Sequence, residues 1–199
     1  LYERQREQYQ VARQNVQIIN KRCHELKLQI AALRQMSSAP ADPELKAHID
    51  EAEKVAQLYD ASRNTGNEVL DVVLTEKSLL CEAQRIRLNC VADGTCLAAI
   101  EPGDLYALFS NLLDQAIDAA AQQQNDRRMI DLLVCRRQGF AVINVIGPAL
   151  SGSQSDHGRR HSYELKVARR VVQKYSGTMA TEPRGELFAV KIVMPLTRG

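Results

Sequence analysis

The sequence predicts an α+β fold, in which an antiparallel helical hairpin (residues 1–64) precedes a layered α/β sandwich (residues 65–199). Residues 1–36 contain no glycine or proline and repeat apolar side chains in alternating steps of three and four, the period of a helix with an apolar seam. A short break is followed by a second stretch of the same period. Beyond Thr65, helical patterns alternate with short apolar strands.

The composition excludes several classes of protein. The net charge of the 199 residues is only +2, too small for a protein that holds nucleic acid through many phosphate contacts. No apolar run approaches the roughly 20 residues needed to span a bilayer. The five cysteines include no C-x-x-C pair, which favours a reduced intracellular chain without disulfides or a zinc site. Because the chain begins with Leu1, we expect it to be a piece of a longer protein.

The hairpin is predicted from two helical patterns. Asp42 can cap the second helix, with Pro43 in its first turn, and this helix runs to about Asn64. A lone hairpin leaves its seam uncovered, so two copies would associate as a four-helix bundle; alternatively, the hairpin folds back onto the remainder of the chain. The seam of the first helix consists of Tyr2, Gln5, Tyr9, Ala12, Val16, Ile19, Cys23, Leu26, Ile30 and Leu33.

The elements of the sandwich follow in the order helix, strand, helix, two strands, loop, helix, two strands. We predict the first helix over residues 67–84 and a strand over residues 87–92. Asp104 is expected to cap the next helix, and Gly177 to close the last one. Hairpin turns are expected at Gln138-Gly139, between strands 129–137 and 140–147, and at Arg184-Gly185, between strands 178–183 and 187–196.

Four motifs occur in an order that resembles one family. HELKLQI resembles the H-D-x-x-N-x-L phosphoacceptor box, and TGNEVLDVVLTEK the T-G-N-x-x-L-D-x-x-L-x-x-K start of the ATPase domain, of quorum-sensing peptide-receptor kinases. NLLDQAIDAA resembles their N-box, and HSYELKVARRVVQKYSG their second glycine segment. The chain therefore resembles the cytoplasmic core of a bacterial sensor histidine kinase, with an ATPase domain of the GHKL (Bergerat) type shared by gyrase, Hsp90, histidine kinases and MutL.

This resemblance implies a function for the hairpin. His24 would accept the γ-phosphoryl group of ATP and pass it to an aspartate on the receiver domain of a response regulator. It follows the seam residue Cys23, so it sits just off the seam, where exposure is expected. Glu25 could take the proton of the far ring nitrogen and so orient and activate the imidazole. The resemblance further implies a homodimer through residues 1–64, and a membrane sensor domain upstream that would make this chain the cytoplasmic portion of a membrane protein.

The resemblance also implies a nucleotide site for ATP and Mg²⁺. Asn111, Asp114 and Gln115 would hold the nucleotide, with Gln115 as the magnesium ligand and Asp118 as the acid that activates transfer. The loop over residues 147–161 corresponds to a mobile ATP lid, from which Arg159, Arg160 and His161 could approach the phosphates. The alternatives are an ordinary amphipathic helix and a loop with ordinary charges.

The sequence departs from the family pattern at residues that the resemblance assigns to the nucleotide site and the phosphoacceptor box. Gln115 replaces the magnesium-binding asparagine, and its longer stem displaces the amide. Ser162 and Glu164 stand in place of Gly-x-Gly, where a Cβ hinders close approach to phosphate. Gly147 replaces an asparagine near the adenine, and Leu28 replaces a polar residue four positions after the histidine.

These departures leave three functions open. We favour a histidine kinase that is active or weakly active. The first alternative is a catalytically degenerate pseudokinase that serves as a dimeric scaffold or partner-binding module. The second is a histidine phosphotransfer protein with a vestigial ATPase domain.

Overall fold

The computed structural model describes residues 2–36, 65–149 and 156–196. The predicted second helix of the hairpin lies outside the described residues, so the hairpin and the domain boundary after residue 64 stay predictions. No helix in the described part is long and apolar enough to cross a membrane. The main elements are α1 (Tyr2–Met36), α2 (Glu68–Ala83), β1 (Arg87–Ala92), α3 (Pro102–Ala121), β2 (Met129–Arg137), β3 (Phe140–Pro148), α4 (Asp156–Lys174), β4 (Thr178–Arg184) and β5 (Leu187–Pro195).

A five-stranded sheet forms one layer of the sandwich. Its order is β1-β2-β3-β5-β4, with β1 parallel to β2 and all other neighbours antiparallel. Alternate residues of the central strands, such as Ile130 and Ile143, point into a core shared with α3 and α4. Both residues of the Gln138-Gly139 turn have positive φ, 46° and 82°, which matches the twist of the antiparallel strands they join. The α+β prediction and the order of the elements are confirmed.

The N-terminus of α3 differs from the prediction. The helix begins at Pro102, and Glu101 is its N-cap residue without a side-chain cap bond. Asp104, expected as the cap, is instead buried in the first turn, where its carboxylate accepts from Lys174 Nζ at 2.6 Å and from the Tyr175 hydroxyl at 2.7 Å. Proline suits the first turn because its missing N–H has no helical partner there. Asp104 therefore ties α3 to α4.

The end of α4 also differs from the prediction. Ser176, with φ 56°, takes the left-handed conformation that was expected of Gly177. Gly177 donates its N–H to the Val172 carbonyl at 2.9 Å and lies directly against β5. A Cβ at this position would lie 2.5 Å from Met194 Cγ and 2.9 Å from the Val193 carbonyl oxygen. Glycine is required here by a close backbone approach, not by helix capping.

Gly177→Ala is accordingly expected to lower the free energy of unfolding by about 2 kcal/mol, because the added methyl group overlaps a backbone carbonyl that cannot rotate away. Urea unfolding followed by circular dichroism would measure the loss. Gly147→Ala is the matched control, since its Cβ would make only ordinary contacts, 3.7 Å from Ala116 Cβ and 3.9 Å from Ile130 Cγ1. Equal losses in the two variants would contradict this explanation.

The N-terminal half of α1 packs against the sandwich. Ala12 and Val16 are buried in the common core, and the Tyr9 ring lies 5.9 Å from the Tyr106 ring of α3. Arg13 forms a 2.7 Å ion pair with Glu68 at the start of α2. The described part of the seam therefore folds back onto the remainder of the chain. This is the alternative that was raised for the predicted hairpin.

Candidate functional site

The motif TGN anchors the start of α2. Asn67 is the N-cap, and its Oδ1 accepts from the N–H groups of Val69 and Leu70. The Thr65 hydroxyl donates to Asp71 Oδ1 at 2.7 Å, and the Thr65 carbonyl accepts from the Gly94 N–H at 2.7 Å. These bonds satisfy the free N–H groups of the helix end and join it to the turn after β1. The motif therefore has a structural role.

The last lysine of the same motif reaches the N-box helix. Lys77 is 5% exposed, and its Nζ lies 2.8 Å from Asp114 Oδ1 and 3.2 Å from Glu76 Oε1. Burial lowers the pKa of Lys77, but the carboxylates of Asp114 and Glu76 outweigh burial and hold that pKa above its usual value. Lys77 therefore joins α2 to α3 through a buried ion pair.

Two further side chains complete this charged cluster. The Tyr106 hydroxyl donates to Glu76 Oε2 at 3.0 Å, and Ser110 Oγ donates to Asp114 Oδ2 at 3.3 Å. Burial and the Glu76 carboxylate both raise the pKa of Tyr106. The sequence reasoning missed Lys77, Glu76, Tyr106 and Ser110; the lysine that ends the TGN motif was the available signal.

Gln115 lies on α3 between Asn111 and Asp118, four residues after the first and three before the second. It is only 8% exposed, and within the described residues its side-chain amide makes no hydrogen bond. Asn111 is half-buried and donates its Nδ2 to the Ala107 carbonyl at 2.6 Å. Asp118 is half-buried on the same side of the helix. A buried amide without a partner is costly, and such groups occur where a ligand supplies the missing contact.

Asp114 and Gly147 differ from the expectation of direct nucleotide contact. The Asp114 carboxylate is already engaged by Lys77 and Ser110, on the side of α3 that faces α2. Gly147 is buried at the end of β3, beneath Ala116 of α3, where a Cβ would find space. Packing does not require a glycine at this position. Gly147 thus lies beneath the N-box helix, and its role with adenine stays a prediction.

A groove of about 910 Å³ separates α1 from the cluster. The wall of the groove opposite α1 includes Ser110, Asn111 and Asp114 of α3 and Lys77 of α2. On the α1 side it is lined by Arg4, Glu7, Gln8, Val11, Ala12, Asn15, Val16 and Ile19. The first helix of the predicted hairpin thus lies across the groove from two of the predicted nucleotide residues, Asn111 and Asp114, whereas Gln115 does not line the groove.

The predicted lid is shorter than expected. The helix α4 begins at Asp156, so Arg159, Arg160 and His161 lie in its first turns and not in a loop. Ser162 and Glu164 follow them in the same helix. The side chains of all five are outside the described residues, as are residues 150–155. The helix includes Gly158, and an isolated glycine within a helix costs only about 1 kcal/mol. The predicted contacts of these five side chains with phosphate stay predictions.

The predicted phosphoacceptor lies in α1. The backbone of His24 is helical, and its side chain is outside the described residues. Glu25 is half-buried and accepts from Arg22 Nη1 at 3.2 Å, so its carboxylate already has one cationic neighbour. Leu28 is 61% exposed, an apolar side chain on the open face of the helix.

Comparison with known proteins identifies the sandwich. The GHKL domain family matches residues 100–195. No curated protein matches the chain. The nucleotide-free catalytic domain of the histidine kinase ThkA superposes with a TM-score of 0.52 at 16% identity, covering 66% of this chain and 93% of that one.

Two other solved structures also match. The Acinetobacter baumannii histidine kinase AdeS is 12% identical, with 87% of this chain and 98% of that one covered and a TM-score of 0.46. The histidine kinase domain of the blue-light activated kinase EL346 from Erythrobacter litoralis is 15% identical, with coverages of 98% and 94% and a TM-score of 0.47. The family match and the ThkA superposition together show that the chain carries a GHKL domain, at residues 100–195, on the fold of a histidine kinase catalytic domain.

Proposed function

We propose that the chain is the catalytic core of a sensor histidine kinase, which phosphorylates His24 with ATP and passes the group to an aspartate of a response regulator. The GHKL domain supports nucleotide binding. The observation that carries the proposal is the amide of Gln115 in the centre of the N-box helix, which is buried and makes no hydrogen bond to any other described residue.

Gln115 fits a magnesium ion in its chemistry. Mg²⁺ prefers oxygen ligands and takes one or two from the protein, with phosphate oxygens and waters completing its shell. The amide oxygen of Gln115 would be such a ligand, and Asn111 and Asp118 are its neighbours on the helix. When bound, the ion neutralises the charge of the phosphates.

The proposed transfer uses His24 and Glu25. The near ring nitrogen of the neutral imidazole attacks the γ-phosphorus and forms an N–P bond. The bond from phosphorus to the bridging oxygen breaks, and ADP leaves with its electron pair. The proton of the far ring nitrogen passes to Glu25 and then to solvent.

Calorimetry and labelling test this proposal. Mg-ATP is titrated into the chain, and γ-labelled ATP is then incubated with the wild type and with His24→Ala. We expect binding in both proteins and acid-labile label in the wild type alone. Label that persists in His24→Ala would overturn the assignment of His24 as the phosphoacceptor. The absence of both heat and label would overturn the proposed kinase activity.

A pseudokinase scaffold is the second candidate. It is favoured by the departures at Gln115, Ser162 and Glu164 and by the engagement of Asp114 with Lys77. In that case, the reversion Gln115→Asn, Ser162→Gly and Glu164→Gly would restore nucleotide affinity to a chain that lacks it. The relation to quorum-sensing peptide receptors and the membrane location remain proposals that rest on the motifs.

A further inference from the structure

Another cavity, of about 410 Å³, lies where α2 ends and where β1 and β2 begin. None of its lining residues belongs to the predicted nucleotide site or to the groove beside α1. A guanidinium is always protonated in proteins, so three positive charges face two negative ones across this cavity. The charged residues that line it are Arg85, Arg87, Arg128, Glu82 and Asp126.

Arg128 is held in place by the backbone around it. Its Nε donates to the Gln123 carbonyl and its Nη1 to the Gln84 carbonyl, both at 2.9 Å. The Arg128 carbonyl accepts from the backbone N–H of Arg87 at 2.8 Å, which fixes the start of β1 beside the start of β2. The Nη2 of Arg128 makes no hydrogen bond to any described residue. One nitrogen of a rigidly placed guanidinium is therefore left for a ligand.

The other two arginines have no partner among the described residues. The side chains of Arg85 and Arg87 are exposed and form no ion pair or hydrogen bond there, although Glu82 and Asp126 line the same cavity. A guanidinium presents its N–H donors in a planar fork that binds two phosphate oxygens at once. Two such forks and the remaining nitrogen of Arg128 suit a ligand with several anionic oxygens.

The backbone conformation of Arg85 is one that glycine adopts more readily. Arg85 follows Gln84, the C-cap residue of α2, and has a φ of 56°. Its N–H donates to the Glu82 carbonyl at 3.1 Å. A left-handed conformation disfavours any residue with a Cβ, and helices most often have glycine at this position. Arginine therefore lowers stability here, which favours a role for the side chain that lines the cavity.

We propose that this cavity binds a small soluble compound with at least two linked phosphoryl groups, held by the guanidinium groups of Arg85, Arg87 and Arg128. The two carboxylates restrict the class of ligand. A singly charged anion gains little where the charges nearly balance, whereas a diphosphate has enough charge and enough oxygens to engage all three guanidinium groups. A cavity of this volume accommodates a small molecule. The proposal does not depend on the proposed kinase activity.

Calorimetry with pyrophosphate, in the absence of magnesium, tests the site. The wild type should bind pyrophosphate, and Arg87→Gln should bind it at least about tenfold more weakly, because charge-assisted hydrogen bonds are lost. Arg137→Gln removes an exposed arginine from the other end of β2 and should bind like the wild type. No binding by the wild type, or equal losses in the two variants, would overturn the proposal.

Gln115→Leu separates this cavity from the proposed nucleotide site. It should retain the affinity for pyrophosphate, because Gln115 does not line the cavity. Loss of pyrophosphate binding in Gln115→Leu but not in Arg87→Gln would place the anion at the nucleotide site and overturn the proposal. A chain that binds pyrophosphate but no Mg-ATP would overturn the proposed kinase alone.

Arg85→Gly should change stability and binding in opposite directions. Without ligand, the melting temperature should rise by about 2 °C, because glycine is favoured in the left-handed conformation. The dissociation constant of pyrophosphate should rise at least about tenfold. Ser176→Gly is the matched control, since Ser176 has the same φ of 56° after α4, and it should raise the melting temperature without changing binding. Unchanged binding in Arg85→Gly would overturn the role of Arg85.

Two further probes identify the source of the phosphate. Inorganic phosphate should bind at least about tenfold more weakly than pyrophosphate, since one phosphoryl group cannot engage three guanidinium groups. Equal affinities for the two would overturn the requirement for linked phosphoryl groups. Vesicles of phosphatidylglycerol should not displace pyrophosphate. Sedimentation with vesicles that depends on Arg87, without binding of pyrophosphate, would replace the soluble ligand by a membrane surface.

Discussion

Replacing Gln115 with leucine should stabilise the chain and weaken its binding of Mg-ATP. Leucine has nearly the same volume but no amide. The substitution removes a buried amide that has no hydrogen-bond partner among the described residues, so we expect the free energy of unfolding to rise by about 1 kcal/mol. The dissociation constant of Mg-ATP should rise at least about tenfold, since a direct oxygen ligand is lost. Urea unfolding and calorimetry of the same preparation would measure the two effects.

The opposite signs distinguish a ligand site from ordinary packing. A Gln115 that only fills space would lose stability, or stay unchanged, on substitution with leucine. Gln115→Asn is the control, because it keeps an amide on a shorter stem and should retain binding. If Gln115→Leu binds Mg-ATP as tightly as the wild type, Gln115 is not the magnesium ligand.

Replacing Lys77 with methionine should cost about 3 kcal/mol in the free energy of unfolding, because two neighbouring carboxylates then share a partly buried site without a cation. The expected loss lies at the lower end of the range for broken buried ion pairs, because the side chains of Asp114 and Glu76 are 34% and 39% exposed and keep some hydration. Chemical unfolding would measure the loss. Lys166→Met, at an exposed position on α4, is the control and should have little effect.

The loss in Lys77→Met should depend on both Asp114 and pH. In a double-mutant cycle with Asp114→Asn, the double variant should be less destabilised than the sum of the single variants, by about 1 kcal/mol or more. Because the folded pKa of Lys77 lies above its usual 10.5, the stabilisation is complete below about pH 10.5 and disappears as the pH rises through the folded pKa. A cost that stays constant up to strongly alkaline pH would contradict this ion pair.

Much of the fold was predictable because its signals are local. β1 and β2 coincide with the predicted 87–92 and 129–137, and α2 lies within one residue of its predicted bounds at either end. Alternation with period two and a left-handed turn at Gln138-Gly139 are visible in a window of ten residues. The apolar seam of α1 was also predicted, and packing on the remainder of the chain was raised as an alternative to a dimer. The helices that it contacts were not predicted, because the spacing of a seam shows only that some apolar surface covers it.

The predictions that were wrong concern residues whose contacts are with distant parts of the chain. Asp104 looked like a helix cap because Lys174 and Tyr175, which engage it, lie 70 and 71 residues away. Gly177 looked like a helix terminator because the contact with Met194 depends on how α4 meets β5. Lys77 ended a recognised motif, yet its pairing with Asp114 required the mutual placement of two helices. For the nucleotide site, the sequence supplied the candidate residues, and the structure added that Gln115 is buried and makes no hydrogen bond within the described part of the chain.

The bonds that fix Thr65 restrict how this molecule can move. The Thr65 carbonyl is held by the Gly94 N–H and its hydroxyl by Asp71, so this one residue fastens the start of α2 to the turn after β1. The chain therefore enters the sandwich at a residue that is held at two points, and Thr65 is not a hinge. A movement of the chain at Thr65 itself would have to break both of these hydrogen bonds, so this residue keeps its position relative to the turn after β1.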